Sequence, residues 1–329
     1  MSRRSPPWAR LSRALVRFSA AARIAGSALG TILVASLVIY GALSLAPGDP
    51  ATMLAGSRAT PRLIAEIRRQ YGLNRAFPIR YWSWLTGALH GNFGISLQFH
   101  QSVSSLLAPR ILTTVELVAY AALIIMVLGI GLGLLPSALP RLNIAVTVTA
   151  SLGIAIPAFV AALVLVEIFA LKLGWFPAVG PGSGGFMSHV RHLTLPAFAL
   201  AFSWAAYVAQ ISRASVREEQ GREHVATATG RGLAPTAVFR RHVLRNAAVP
   251  IVTVSGLTVA GLLAGSIVVE TAFGLGGIGS LLVQSVSAKD YTVVLAISLI
   301  LVVAFVLATT IADLAHLALD PRVRTRVTA

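Results

Sequence analysis

The side chains most able to do chemistry in this sequence are few. Two lysines, Lys172 and Lys289, stand against 25 arginines. A phosphate-binding loop needs glycine, then lysine, then serine or threonine, so that backbone amides and an ammonium cradle the phosphates. Lys172 follows Leu171 and Lys289 follows Ala288, so neither can serve and the chain has no ATPase loop of its own. The run Gly274-Leu-Gly-Gly-Ile-Gly279 lacks the strand–turn–helix setting of a phosphate cradle and reads as a tight turn. His189 and His192 are spaced i, i+3 with no third ligand nearby, which suits an interface better than a metal. With no cysteine, disulfides and thiolate metal sites are absent. No nucleophile–base pair stands out, so no catalytic, cofactor or metal site is expected.

Four acids, Glu116, Glu167, Glu270 and Asp313, lie within or at the ends of apolar runs, where an ionised group is costly and functional by default. Thr113-x-x-Glu116 has the spacing of a capping box at a helix start. Glu167 and Glu270 fall near the C-terminal ends of their helices, where the macrodipole disfavours negative charge. An arginine, a partner subunit or a cationic substrate amine must hold them, which makes both candidates for a transport pathway or a partner contact. Asp313 is expected to pair with an arginine at its end of the bundle.

The elements carrying these residues are membrane spans. Hydrophobic residues make up 56% of the 329 and charged ones only 12%, about half the usual soluble share. The mean hydropathy is +0.79. Several runs exceed the roughly 18 apolar residues needed to cross a bilayer. A soluble globular fold is excluded. The net charge of +16 comes from arginines scattered between spans, without the basic face or motif of a nucleic-acid module. Anchorage against anionic lipid is the better use for it.

Six spans are expected, at about 24–45, 113–136, 142–171, 192–214, 250–271 and 292–317. The first is too long for a cleaved signal peptide. Pro157 and Pro196 should kink or begin their helices, and Gly129/Gly133 and Gly261/Gly265 should let helices approach closely. Residues 46–110 read as a small folded cap, with a helix over 61–71 and an amphipathic aromatic segment over 79–85. Arginines crowd one side: Arg3, Arg4, Arg10, Arg13, Arg17 and Arg23, then Arg141, seven from Arg213 to Arg245, and Arg322, Arg324 and Arg326. The positive-inside rule puts both termini in the cytoplasm and the cap outside.

The longest connection on the basic side, 213–250, is patterned to contact something. Gly221 breaks the helical run, Arg222 to Thr229 can form about two turns, and Gly230 and Gly232 are natural stops. Pro235 suits the first turn of a following helix with Val238, Phe239 and Val243 on one face.

Here the chain resembles the membrane subunits of binding-protein-dependent ABC importers, in their oligopeptide/dipeptide branch. Ala226-Thr-Ala228, three spacers and Gly232, then Arg241-His-Val-Leu-Arg-Asn-Ala-Ala-Val-Pro250, fit that family's cytoplasmic "EAA" loop. Ala226 stands where the family name has glutamate, and His242 where it has isoleucine. Leu45-Ala-Pro-Gly-Asp-Pro50, Tyr71-Gly-Leu-Asn-Arg75, Gly91-Asn-Phe-Gly-Ile-Ser96, Val269 to Gly279 and Leu319-Asp-Pro-Arg-Val-Arg324 resemble other stretches of the branch, in its order.

The resemblance implies an all-α integral membrane protein with six transmembrane helices in the type I ABC importer permease fold. It divides the chain into an N-terminal region 1–110, a core 111–319 with its loop 213–250, and a tail 320–329. It implies a second, related permease, two cytoplasmic ATPase subunits that bind the ATP and magnesium, and an external solute-binding protein, in a bacterial plasma (inner) membrane. The coupling contact would fall on Arg222, Glu223, His224, Ala226, Thr227, Ala228, Gly232 and Leu233, with the small residues facing the ATPase. The implied cargo is a di- or oligopeptide or a similar solute. A proton-coupled secondary transporter using the intramembrane acids is the alternative, although inverted repeats and mid-membrane acids, its usual marks, are missing.

Overall fold

The computed structural model describes residues 7–46, 51–52, 59–70, 72, 74–182 and 185–319. Pro47-Gly-Asp-Pro50, Tyr71, Leu73 and the tail from Asp320 lie outside the described residues, as do Arg3 and Arg4. Among the described residues all regular elements are helical, apart from an isolated bridge between Ile95 and Ser102. They are α1 (Pro7–Ser44), α2 (Pro61–Gln70), α3 (Phe77–Leu89), α4 (Val103–Ala138), α5 (Asn143–Ala155), α6 (Ala158–Lys172), α7 (Phe186–Gln220), α8 (Glu223–Gly230), α9 (Pro235–Phe273), α10 (Ile278–Ser287) and α11 (Tyr291–Leu319). Short π-helical stretches interrupt α4 at Ile125–Ile130, α6 at Val166–Lys172 and α9 at Phe239–Leu244.

Five helices are long and apolar enough to cross a membrane, and a sixth crossing exists if α5 and α6 form one span. These two are bent by 102°, where a single span over 142–171 with a kink or helix start at Pro157 was expected. Pro157 explains the break. It has no N–H to give, and it drives Ile156 out of the helical region to ψ 115°. The carbonyl this frees accepts the Ser203 hydroxyl from α7, so the broken backbone is not left bare in lipid.

Helix α7 is the axis of the bundle. Acyl chains are as apolar as leucine, so close packing rather than water exclusion holds the helices together. Gly133 of α4 sits so near α7 that an added Cβ would lie 2.5 Å from the Ser212 Cβ. Gly261 of α9 accepts the indole of Trp204 in the space a side chain would need. Gly129 and Gly265 approach α7 in the same way, as the small-residue spacing implied. Pro196 is buried within α7 and does not begin it, since that helix already starts at Phe186.

Helix α4 also starts early, at Val103 rather than near 113, with the Ser102 side chain capping its first turn. Ser104, Ser105 and Arg110 lower the hydropathy of these turns, yet Val103, Leu106 and Leu107 are buried against Ile278, Leu281, Val293 and Ile297. Thr113 and Glu116 therefore lie mid-helix and form no capping box. The cap covers this end of the bundle. Tyr40 of α1 is ringed by Phe77, Tyr81 and Trp84 of α3, at i, i+4 and i+7, with centroids 5.6, 5.6 and 5.3 Å away. The hydroxyls of Tyr81 and Ser36 meet at 2.8 Å.

Candidate coupling site and intramembrane acids

At the end of the bundle opposite the cap, α7 runs on to Gln220 and Gly221 stops it. Its 35 residues make about 52 Å at 1.5 Å each, well beyond the ~30 Å hydrocarbon layer. The chain turns at Arg222 (φ −76°, ψ 145°) into the two-turn helix α8. Gly232 follows with φ +75°. Leu233 N–H donates to the Ala228 carbonyl at 3.4 Å and Gly232 N–H to that of Thr229 at 2.9 Å, the paired bonds of a Schellman stop. That stop needs a left-handed residue, which glycine supplies without strain. Pro235 then opens α9 at its first position.

The two faces of α8 do different things. Val225 and Ala228, one turn apart, are 8% and 5% exposed and pack with Val216, Val238, Val243, Ala247 and Ile251 of the same chain. Ala228 is thus part of the fold's own core and does not face outward, because α8 needs an anchoring side and the i, i+3 spacing puts Ala228 on it. Glu223, His224, Ala226, Thr227 and Gly232 are exposed, and Leu233 keeps 45% of its surface in the open.

A polar clasp fixes this helix, and sequence reasoning missed it. Glu219, whose side chain is 14% exposed, receives Asn246 Nδ2 at 2.8 Å and lies 3.1 Å from His224 Nε2. The second amide hydrogen of Asn246 goes to the His242 carbonyl at 3.0 Å. Arg222 pairs with Glu218 at 2.6 Å and reaches Glu219 at 3.8 Å. Glu219 thereby joins the end of α7, the start of α8 and the first turns of α9. In sequence it is one acid of a charged run, and Asn246 lies 27 positions away, so only the folded chain brings them together.

The intramembrane acids separate by environment. Glu167 is exposed and pairs with Lys172 at 3.3 Å, a surface ion pair of little energetic weight. Glu116 meets His189 Nε2 at 2.7 Å, while His189 Nδ1 lies 2.9 Å from the Pro181 carbonyl. Asp313 is exposed, and among the described residues no arginine pairs with it. Glu270 is 0% exposed. Its carboxylate accepts Thr114 Oγ1 at 2.6 Å, Gly279 N–H at 2.7 Å and Ser280 N–H at 3.2 Å, while Thr114 Oγ1 accepts Ile278 N–H at 3.0 Å. The glycine-rich segment is the expected tight turn, with Gly274 left-handed after α9. Its end cradles a side-chain carboxylate, which satisfies the first amides of α10.

Asp290, also missed in the sequence, does the same for α11. It is 1% exposed, takes Ser96 Oγ at 2.5 Å and Gln98 N–H at 3.1 Å, and faces Val293 N–H at 3.4 Å. Asp followed two and three residues later by Thr292 and Val293 at a helix start was the available signal.

Residues 125–325 match the family described as "Binding-protein-dependent transport system inner membrane component", and 15–118 match its N-terminal companion. The chain is 32% identical over 302 residues to "Probable peptide ABC transporter permease protein y4tP" of Sinorhizobium fredii, covering 91% of this chain and 96% of that one. It is 36% identical over 299 residues to "Glutathione transport system permease protein GsiC" of Salmonella paratyphi A, with 89% and 95% covered. Among solved structures, the MetNI methionine ABC transporter in inward-facing conformations is similar with a TM-score of 0.54 at 19% identity, over 65% of this chain and 96% of that one. An amino acid ABC transporter solved with histidines gives 0.52 at 19% identity, over 65% and 94%. At such identity these two speak for the fold alone.

Proposed function

The chain belongs to the family of binding-protein-dependent transport system inner membrane components, and from that premise we propose that it carries peptides inward as one permease of an ABC importer. Its relatives' names support a di- or oligopeptide cargo, glutathione being one such tripeptide. Energy comes from separate ATPase subunits, because neither lysine stands in a phosphate-binding loop. The observation that carries the mechanism is α8: a short helix anchored by Val225 and Ala228, clasped by Glu219, and presenting Glu223, His224, Ala226 and Thr227, with Leu233 just past its end, to a partner.

In this reading both termini and α8 are cytoplasmic and the α2–α3 cap is external, following the arginine asymmetry. A second permease completes the pathway, two ATPases dock on the paired α8 surfaces, and an external binding protein delivers the solute. The chain divides as 1–110, 111–319 and 320–329. ATP-driven closure of the ATPases moves α8, and the clasp and the α8–α9 core pass that motion to α7 and α9, whose packing lines the bundle. A ligand shifts such an equilibrium only through contacts that differ between the two states, and the exposed face of α8 is where those contacts form. Glu270 and Glu167 receive no role in solute binding, since one is spent on α10 and the other on Lys172. That also takes Glu270, the fully buried one of the four acids, away from a proton-coupled carrier.

The test is purification of the intact complex, identification of bound solute by mass spectrometry, and ATP-dependent uptake of that solute into proteoliposomes. Uptake of a peptide that stops without the ATPases is expected. Uptake driven by a proton gradient without ATP would overturn the proposal.

A further inference from the structure

Where α7 leaves the bundle near α8, a cavity of about 280 Å³ opens against the elbow between α4 and α5. Ser137, Asn143, Arg213, Arg217 and Gln220 line it together with the two elbow prolines, and none of its lining residues is acidic. Arg213 donates through Nη1 to Asn143 Oδ1 at 2.8 Å, which fixes the guanidinium at the cavity wall. Its Nε is shielded from solvent and has no partner. Arg217 has none among the described residues either, and the nearest acids along α7 are occupied. Glu218 holds Arg222, and Glu219 holds His224 and Asn246. Two guanidinium groups thus line one concave space together with amide and hydroxyl side chains, and no acidic side chain among the lining neutralises them. A planar guanidinium offers paired donors at the spacing of phosphate oxygens.

We propose that this cavity is a binding site for a phosphate group, carried by the headgroup of an anionic phospholipid. The apolar surroundings favour the lipid over free phosphate. Leu139, Leu142 and Ile144 on the same elbow are 51%, 37% and 76% exposed, so acyl chains have an apolar surface to lie on directly beside the arginines. Basic pockets at the cytoplasmic ends of spans hold anionic headgroups by this combination. Bound there, the headgroup would bridge the α4–α5 elbow to the last turns of α7 that lead into Glu219 and α8. The site rests on the bundle's own geometry and is independent of which solute is carried.

The experiment uses the whole purified complex in detergent, with heat stability as the readout. One arm adds phosphatidylglycerol in mixed micelles, a second adds phosphatidylcholine, and a third adds inorganic phosphate. Phosphatidylglycerol should stabilise the wild type at low mole fraction, and Arg213→Gln/Arg217→Gln should need roughly thirtyfold more of it. An Arg62→Gln/Arg75→Gln complex, which loses the same charge from exposed positions outside the cavity, should respond as the wild type does. Stabilisation by inorganic phosphate that the cavity variant loses would keep the phosphate site but assign it to the free ion. Equal responses from the wild type and the cavity variant, or equal losses in both double variants, would overturn the proposal. If the cavity variant fails to assemble, Gln220→Glu, which places a carboxylate at the cavity rim, should weaken the phosphatidylglycerol response, and an unchanged response would overturn it.

Discussion

The Thr114 hydroxyl donates to Glu270 Oε1 at 2.6 Å across the contact between α4 and α9. With Ile278, Gly279 and Ser280 donating to the same two side chains, one carboxylate ties two long helices to the start of α10. This fully buried carboxylate is held by donors from the other two elements on both of its oxygens. Glu270→Ala leaves Gly279 and Ser280 N–H without acceptors, at about 1–3 kcal/mol for each orphaned group. The variant complex should unfold well below the wild-type temperature, while its KM for solute, measured on intact complex in the cold, stays unchanged. A raised KM at normal stability would return Glu270 to the solute pathway.

The two faces of α8 predict two different failures. Ala226→Arg changes an exposed position, so the permease should fold and insert normally but lose its ATPases during purification. Ala228→Arg forces a guanidinium among Val216, Val225 and Val243, so α8 itself should detach, seen as faster amide exchange over 223–230. Gly232→Val places a β-branched residue at φ +75° and should act like Ala228→Arg, at a cost of about 1–2 kcal/mol. Normal coupled uptake in all three would mean that α8 is not the coupling element.

Glu219 is a positioning residue in this account, since it acts through α8. Glu219→Ala should leave basal ATP hydrolysis intact and reduce solute moved per ATP several-fold. Glu219→Gln keeps an acceptor for Asn246 and should recover part of the coupling. Equal transport per ATP in wild type and Glu219→Ala would show that the clasp carries no motion.

Labelling with an impermeant thiol reagent reads out the topology cleanly, because the chain has no cysteine of its own. Cysteines at Ser137 and Ser215 should react from the cytoplasm, and those at Ser183 and Ser287 from outside. Ser137 and Ser183 on opposite sides would make the bent α5–α6 pair one crossing. Both on the same side would make it re-entrant.

Composition and run length made the membrane class and most spans legible, because apolar length is a property of local sequence. Gly221, Gly232 and Pro235 marked α8 and its neighbours for the same reason, each acting on its own backbone. The break at Pro157 was only half visible. A proline signals a kink, but its size depends on the Ser203 hydroxyl from another helix accepting the task of satisfying Ile156. The early start of α4 was hidden by polar residues whose apolar neighbours are covered by α10 and α11. Glu219–Asn246, Ser96–Asp290 and Thr114–Glu270 join residues 27, 194 and 156 positions apart, and spacing arguments do not reach that far. Ala228 shows the opposite error. A family pattern marks it as part of the coupling loop, yet only the packing of α8 reveals that it faces inward.

A single introduced thiol tests directly whether α8 is where the ATPase meets this permease. Thr227→Cys is exposed on α8 and would be the only cysteine in the permease. In the assembled complex, a short crosslinker that is thiol-reactive at one end and photoreactive at the other should join it to an ATPase subunit on illumination, with a yield that changes when ATP is added. Ser287→Cys at the opposite end should give no such product. An unchanged permease band for Thr227→Cys in a complex competent for transport, or a product formed with the external binding protein instead, would contradict the account.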